Sequence, residues 1–206
     1  MKVLLINGSP NEDGCTFTAL TEIESALHKH EIETEIYQIG TEPQRGCLGC
    51  GGCGESGKCV FTDNNDMCNE LVKKIKESDG IVVGSPVYYA GPNGALCALL
   101  DRVFYSAAKD FKHKPAACIV SCRRGGASSA FDRLNKYFTI VQMPVVSSQY
   151  WNAVHGNTPE EVRQDLEGLQ IMRTLGNNMA WLIKNIKEGN PPPEPEKERL
   201  WTNFHN

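Results

Sequence analysis

Apolar residues along the chain fall into two alternating kinds of pattern. Residues 3–6 and 81–83 are short continuous apolar runs, as strands buried on both sides of a parallel sheet require, and 116–121 is predicted as another strand. Ile32, Ile36 and Ile39 mark a weaker strand over 32–39, and a fifth is predicted over 143–148. Between these runs the spacing becomes helical. One face carries Ala19, Leu20, Ile23, Ala26 and Leu27; the next carries Cys68, Leu71, Val72 and Ile75; a third carries Leu96, Leu99, Leu100 and Val103. Ala130, Phe131, Leu134, Tyr137 and Phe138 mark a fourth helix. Acidic and amide residues from Asp63 to Asp66 open the second helix, and Asn93 caps the third. Thr158-Pro159-Glu160-Glu161 combines a capping box with proline at the first helical position. It predicts one long helix through Val162, Leu166, Leu169, Met172, Leu175, Met179, Leu182 and Ile186. No internal repeat is present.

Strands separated by helices pair in parallel through right-handed crossovers. The expected fold is therefore α/β, a flavodoxin-like doubly wound five-stranded parallel sheet with helices on both faces. It occupies residues 1–190, with an inserted cysteine-rich loop at 40–65 and a tail over 191–206. Leu200, Trp201 and Phe204 make that tail apolar, and packing on a neighbouring subunit is expected of it, against docking on its own domain. Ligands in such sheets bind beyond the carboxyl ends of the strands, near the switch in strand order. The loops after strands one, three and four are the candidates.

Composition narrows the partners. At 206 residues, 40% hydrophobic, 22% charged and −4 net, the chain is an ordinary globular domain without the basic surface of a nucleic-acid or anionic-membrane binder. The apolar run at 3–6 is too short for a signal peptide, and no stretch reaches membrane-spanning length. A cytoplasmic location is expected. The nine cysteines then read as thiols, metal ligands or redox groups rather than structural disulfides.

The first loop, Asn7-Gly8-Ser9-Pro10-Asn11-Glu12-Asp13-Gly14-Cys15-Thr16-Phe17-Thr18, runs into a helix. Small residues, hydroxyls and free amides there suit a phosphate, although Thr16 also fits as a simple helix cap. The loop lacks the lysine of a triphosphate-binding loop and the spacing of a dinucleotide fingerprint. The second, Ser85-Pro86-Val87-Tyr88-Tyr89-Ala90-Gly91, offers adjacent aromatics to a planar ring or to a subunit contact. The third, Ser121-Cys122-Arg123-Arg124-Gly125-Gly126, joins two guanidiniums to a flexible backbone. Cys118 and Arg124 have the spacing of tyrosine phosphatases, but Cys118 falls inside a strand, where its thiol is inert. Together the three loops describe a phosphate, a ring and a backbone cradle.

Asn-Gly-Ser-Pro at 7–10 with Gly-x-Thr at 14–16, Gly-Ser-Pro-Val-Tyr at 84–88 and Leu-Leu-Asp-Arg at 99–102 resemble the NADPH-dependent FMN reductase family. The compact run Cys47, Cys50, Cys53, Cys59 resembles its iron–sulfur flavoprotein subgroup. The resemblance implies that Ser9, Pro10, Cys15, Thr16, Phe17 and Thr18 surround the FMN phosphate. It sets Pro86, Val87, Tyr88 and Tyr89 along the isoalloxazine, with Ser121, Arg124, Gly125 and Gly126 on its far side. It also implies a homodimer or homotetramer. Cys15 stands where the family commonly has asparagine, and Glu12 and Asp13 where basic residues are more usual.

Four thiols within 13 residues converge only if the loop folds tightly, which Gly46, Gly49, Gly51, Gly52, Gly54 and Gly57 permit. A [4Fe–4S] cluster suits such a run best; a metal-free loop is the second reading, and zinc, whose two Cys-x2-Cys pairs are usually separated by a longer insert, is the last. Cys68, Cys97 and Cys118 fit the core. His28, His30, His113, His155 and His205 show no metal-ligand spacing near the cysteines, and Trp151 is expected at the flavin or at a subunit contact. The expected function is an FMN-dependent oxidoreductase passing electrons through the cluster from a carrier such as ferredoxin to a small acceptor. No side chain need act as nucleophile or base. The alternatives are a cluster-free NAD(P)H-dependent reductase of FMN, quinones or azo compounds, and a non-catalytic zinc-binding module.

Overall fold

Successive side chains of a strand point to opposite faces, and β1 (Lys2–Asn7) divides its apolar residues accordingly. Val3 and Leu5 enter one core, Leu4 and Ile6 the other. The same division runs through β3 (Gly80–Tyr88), with Val82 facing one way and Ile81 and Val83 the other. It continues in β5 (Ala116–Cys122), with Ala117 and Ile119 opposite Cys118 and Val120. A sheet apolar on both faces needs a helical layer on each side. The computed structural model describes residues 1–62, 66–189, 191–194 and 202. In it, α1 (Cys15–His28), α5 (Pro159–Gln164) and α6 (Leu166–Glu188) cover the first face. The second is covered by α2 (Cys68–Glu77), α3 (Gly94–Phe111) and α4 (Ala127–Ile140).

With β2 (Glu33–Gln38) and β6 (Ala153–His155), five parallel strands run in the order β2-β1-β3-β5-β6. The chain winds outward in one direction from β1 and in the other from β3, so the switch in direction lies between them. The short β4 (Gly91–Pro92) folds back on β3 as an antiparallel hairpin. The predicted cap at Asn93 forms, its side chain accepting from the Ala95 amide. Among the described residues, no helix is long and apolar enough to cross a membrane.

Two elements differ from the sequence pattern. Residues 143–148 are not a strand. They join the sheet only at a single bridge, Ala116 to Val145, and the edge strand is Ala153–His155. The Pro144 oxygen accepts from the Ala116 amide and the Ala116 oxygen from Val146, after which the chain leaves the sheet. Trp151 therefore precedes the last strand instead of following it. The predicted long helix also breaks, at Asp165, into α5 and α6. Asp165 leaves helical geometry to cap α6, accepting at Oδ1 from Gly168 and at Oδ2 from the His155 amide. The break changes the helical phase, and Leu166, expected in the core, is 73% exposed. Cys68 and Cys118 are fully buried as expected, whereas Cys97 is only half-buried. Asp63, Asn64, Asn65, Leu200, Trp201, Phe204 and His205, to which roles were also assigned, lie outside the described residues.

Candidate functional site

The first loop is held by its own polar groups. Asn7, fully buried at the end of β1, accepts at Oδ1 from the Ser9 amide and donates from Nδ2 to the carbonyls of Asn11 and Glu12. Ser9 Oγ accepts from the Asn11 amide, and Gln38 donates to the Ser9 carbonyl at 2.7 Å. The loop ends at Gly14, which supplies no side-chain cap to α1. Among the described residues, no oxygen accepts from the amides of Cys15, Thr16 or Phe17. Amides that no oxygen occupies, at the positive end of a fourteen-residue helix, are what an anionic phosphate requires. Glu12 and Asp13 are exposed, so their charges meet water rather than that cradle. Thr16 is not the helix cap: its hydroxyl is buried and paired with Ser121 Oγ at 2.8 Å, tying the first loop to the last. Thr18 turns its hydroxyl back on the Gly14 carbonyl. Burial pushes the Cys15 thiol above its ordinary pKa, so it stays protonated and uncharged beside the cradle.

The second loop is longer strand than the sequence predicts. β3 continues through Pro86, Val87 and Tyr88 and turns at Tyr89 and Ala90, both at positive φ, 50° and 58°. A two-residue hairpin of this hand favours glycine or asparagine at both positions, so this tip holds backbone strain. Tyr89 is fully exposed and Tyr88 nearly half so. The loops meet one another. Gly8 donates to the Gly84 carbonyl at 2.8 Å, and Asn93 Nδ2 donates to the Gly8 carbonyl. A Cβ on Gly126 would stand 2.7 Å from Ala90 Cα and 3.1 Å from Val87 Cγ1. Gly126 thus packs directly on the second loop, and the two form one wall. Gly126 also opens α4 without a side-chain cap, at φ 91°. Arg124 and Gly125 stand exposed beyond it.

Beside that wall lies a cavity of about 390 Å³, bounded by Arg124, Phe131, Tyr150, Trp151, Asn152 and Asp165, among others. Trp151 is 58% exposed and packs on Tyr150 with ring centroids 5.1 Å apart. Sequence reasoning singled out Trp151 here and missed Tyr150, Asn152 and Asp165, because it set the edge strand ten residues too early.

The third feature is the cysteine loop, which has neither helix nor strand among the described residues between β2 and α2. Cys47, Cys50, Cys53 and Cys59 all line one small cavity, together with Leu48, Val60, Phe61, Arg102 and Tyr105. Gly49, Gly51 and Gly57 are at positive φ and reverse the chain between the thiols. The Gly49 amide donates to Cys47 Sγ at 3.5 Å. Cys47 and Cys50 are exposed, Cys53 and Cys59 half-buried. As they stand, no three His, Cys, Asp or Glu among the described residues are grouped closely enough to hold a metal ion. The donor types nevertheless suit an iron–sulfur cluster: four cysteines lining one cavity, glycine hinges between them, and an amide already directed at a sulfur.

Arg102, known from the sequence only as part of a motif, closes this cavity. It is 2% exposed and donates to Cys59 Sγ from Nε at 3.3 Å and from Nη2 at 3.2 Å. Nη2 also reaches the Phe61 carbonyl at 2.8 Å, and Nη1 pairs with the Asp66 carboxylate. Burial disfavours its charge, but bonding to Asp66 and Cys59 outweighs that, and its pKa lies above the ordinary value. The available signal was a charged residue between Leu99 and Val103 on an apolar helix stripe. The neighbouring Cys68 is a fully buried packing residue, and burial pushes its thiol up to about 12.

Residues 1–158 match the NADPH-dependent FMN reductase family. The chain is 34% identical over 196 residues to an iron–sulfur flavoprotein of Methanocaldococcus jannaschii, covering 91% of this chain and all of that one. It is 28% identical over 187 residues to an NADPH azoreductase of a Bacillus species, covering 90% and 88%. Among solved structures, a flavodoxin from the domain Archaea shares the fold with a TM-score of 0.61 at 14% identity, covering 89% of this chain and 99% of that one.

Proposed function

The chain belongs to the NADPH-dependent FMN reductase family and is a flavin-dependent oxidoreductase, and on that premise we propose that it also carries a [4Fe–4S] cluster on Cys47, Cys50, Cys53 and Cys59. Held by these four residues, the cluster would supply one-electron transfer from a carrier such as ferredoxin, with FMN as the exit to a small acceptor. FMN supplies one- and two-electron chemistry and the cluster one-electron chemistry, so the pair converts single electrons into the pairs that most organic acceptors take. The observation carrying this reading is that all four loop cysteines border one cavity.

The chain's own residues bind and orient. The open amides of Cys15, Thr16 and Phe17 hold the FMN phosphate, with Ser9 and Pro10 shaping the loop around it. The Thr16–Ser121 bond fixes that loop against β5, so the phosphate end and the ring end keep their spacing. Val87, Tyr88 and Tyr89, backed by Gly126, form the wall for the ring, and Arg124 and Gly125 border its open side. The cavity walled by Trp151 and Tyr150 lies next to that side and gives a planar acceptor an apolar surface.

A second reading, direct reduction by NAD(P)H without a cluster, is supported by the family and by the likeness to an NADPH azoreductase. The non-catalytic zinc module falls with membership of an oxidoreductase family. Anaerobic stopped-flow reduction of bound flavin separates the remaining two. Reduced ferredoxin should bleach the wild-type flavin at least tenfold faster than that of Cys59→Ser, while NADPH acts slowly on both. Equal rates with ferredoxin, or rapid reduction of both by NADPH, would contradict the proposal.

A further inference from the structure

We propose that Arg102 is the positioning residue of the cysteine site, fixing the Cys59 sulfur and raising the one-electron potential of the group the four cysteines hold. This rests on the cluster reading above. A charge this deeply buried is costly unless it is fully paired, and a leucine would continue the Leu96–Leu99–Val103 stripe without that cost. One edge of the guanidinium is satisfied by Asp66 and by the Phe61 carbonyl. The other directs two N–H groups at a single sulfur, 3.2 and 3.3 Å away. A neutral thiol is a weak acceptor and a poor match for two donors. A metal-ligating sulfur carries negative charge and is a good one.

Cys59 is also the loop cysteine whose backbone is clamped. Asn69, on α2, accepts from the Cys59 amide at 2.9 Å and donates to its carbonyl at 2.9 Å. Cys59 is therefore preset by two helices, Asn69 holding its main chain and Arg102 its sulfur. Cys47 and Cys50 sit on exposed backbone that reverses at glycines. Assembly then begins at Cys59, and the glycine-hinged part of the loop closes on it. Adding one electron makes the held group more negative, and a fixed cation with N–H···S bonds stabilises that state, which moves the potential upward.

The test uses full-length wild type, Arg102→Lys and Arg102→Gln, each reconstituted anaerobically with iron and sulfide. Bound iron and sulfide in the wild type come first; their absence sinks the cluster reading, and this proposal with it. With a loaded wild type, EPR-monitored dithionite titration should place the Arg102→Gln cluster at a more negative midpoint potential and Arg102→Lys between the two. The flavin potential stays unchanged, and iron is lost to a chelator several-fold faster from Arg102→Gln. A loaded Arg102→Gln at the wild-type potential would overturn the proposal and leave Arg102 as a packing anchor. If Arg102→Gln fails to fold, pulsed EPR on reduced wild type grown with nitrogen-15 arginine decides. A nitrogen-15 coupling that disappears in Arg102→Lys supports the contact, and no coupling in the wild type refutes it.

Discussion

Single residues fix how the loops meet. Gly126 has a left-handed backbone and lies against Ala90, so no other residue fits without moving the hairpin tip. Gly126→Ala should cost about 2–3 kcal/mol, the sum of a left-handed alanine and an overpacked contact. In a chain of this length that lowers the melting temperature by roughly 5–10 °C. FMN affinity should fall with it, which fluorescence titration of the apoprotein would show; unchanged affinity would mean the wall does not face the ring. Residue types carried much of this legibility. The glycines, the tyrosine pair and the four cysteines all stood out in the sequence, because small or aromatic side chains in loops have no core to serve. Arg102 did not stand out, because its partners Cys59, Phe61 and Asp66 lie some 40 residues away in sequence and only folding joins them.

At the scale of elements, the helix faces follow the hydrophobic spacing closely. The residues predicted to face the core on α1, α2 and α3 are all buried. Spacing failed where a polar residue had a tertiary task. Asp165 reads as an ordinary helical position, yet its carboxylate bridges the α6 amino end and β6. Elements are also joined by charge. Glu35 on β2 accepts from Lys2 of β1 and Lys74 of α2, each at 2.6 Å. The bonds to Lys2 and Lys74 hold its carboxyl below the ordinary range despite opposing burial. Since the folded pKa is depressed, this stabilisation is present above the unfolded value of about 4.3 and is lost as pH falls through the folded one. These side chains are about one-third exposed, so Glu35→Gln should cost only about 1 kcal/mol at neutral pH. Urea unfolding should find the gap between the two proteins narrowing as pH falls below the ordinary carboxylate range; a gap that does not narrow there would assign the effect to packing.

Over the whole molecule, one sheet divides the labour. Its carboxyl edge gathers the three loops proposed to cradle the flavin, and the α2–α3 side anchors a loop of thiols through Asn69 and Arg102. The α/β class and the central strand pattern were legible because buried parallel strands leave continuous apolar runs. The edge strand was not, since Ala153–His155 is three residues long and the more apolar segment before it pairs at one bridge alone. The cavity beside Trp151 was hidden for the same reason. The account turns on one molecule carrying both redox groups. Its most direct test is purification with oxygen excluded throughout, followed by iron, acid-labile sulfide, zinc and flavin analysis of the same sample. The account predicts one FMN with about four irons and four sulfides per chain, and loss of the iron but not the flavin in Cys59→Ser. Full flavin without iron, or zinc in place of iron, would contradict it.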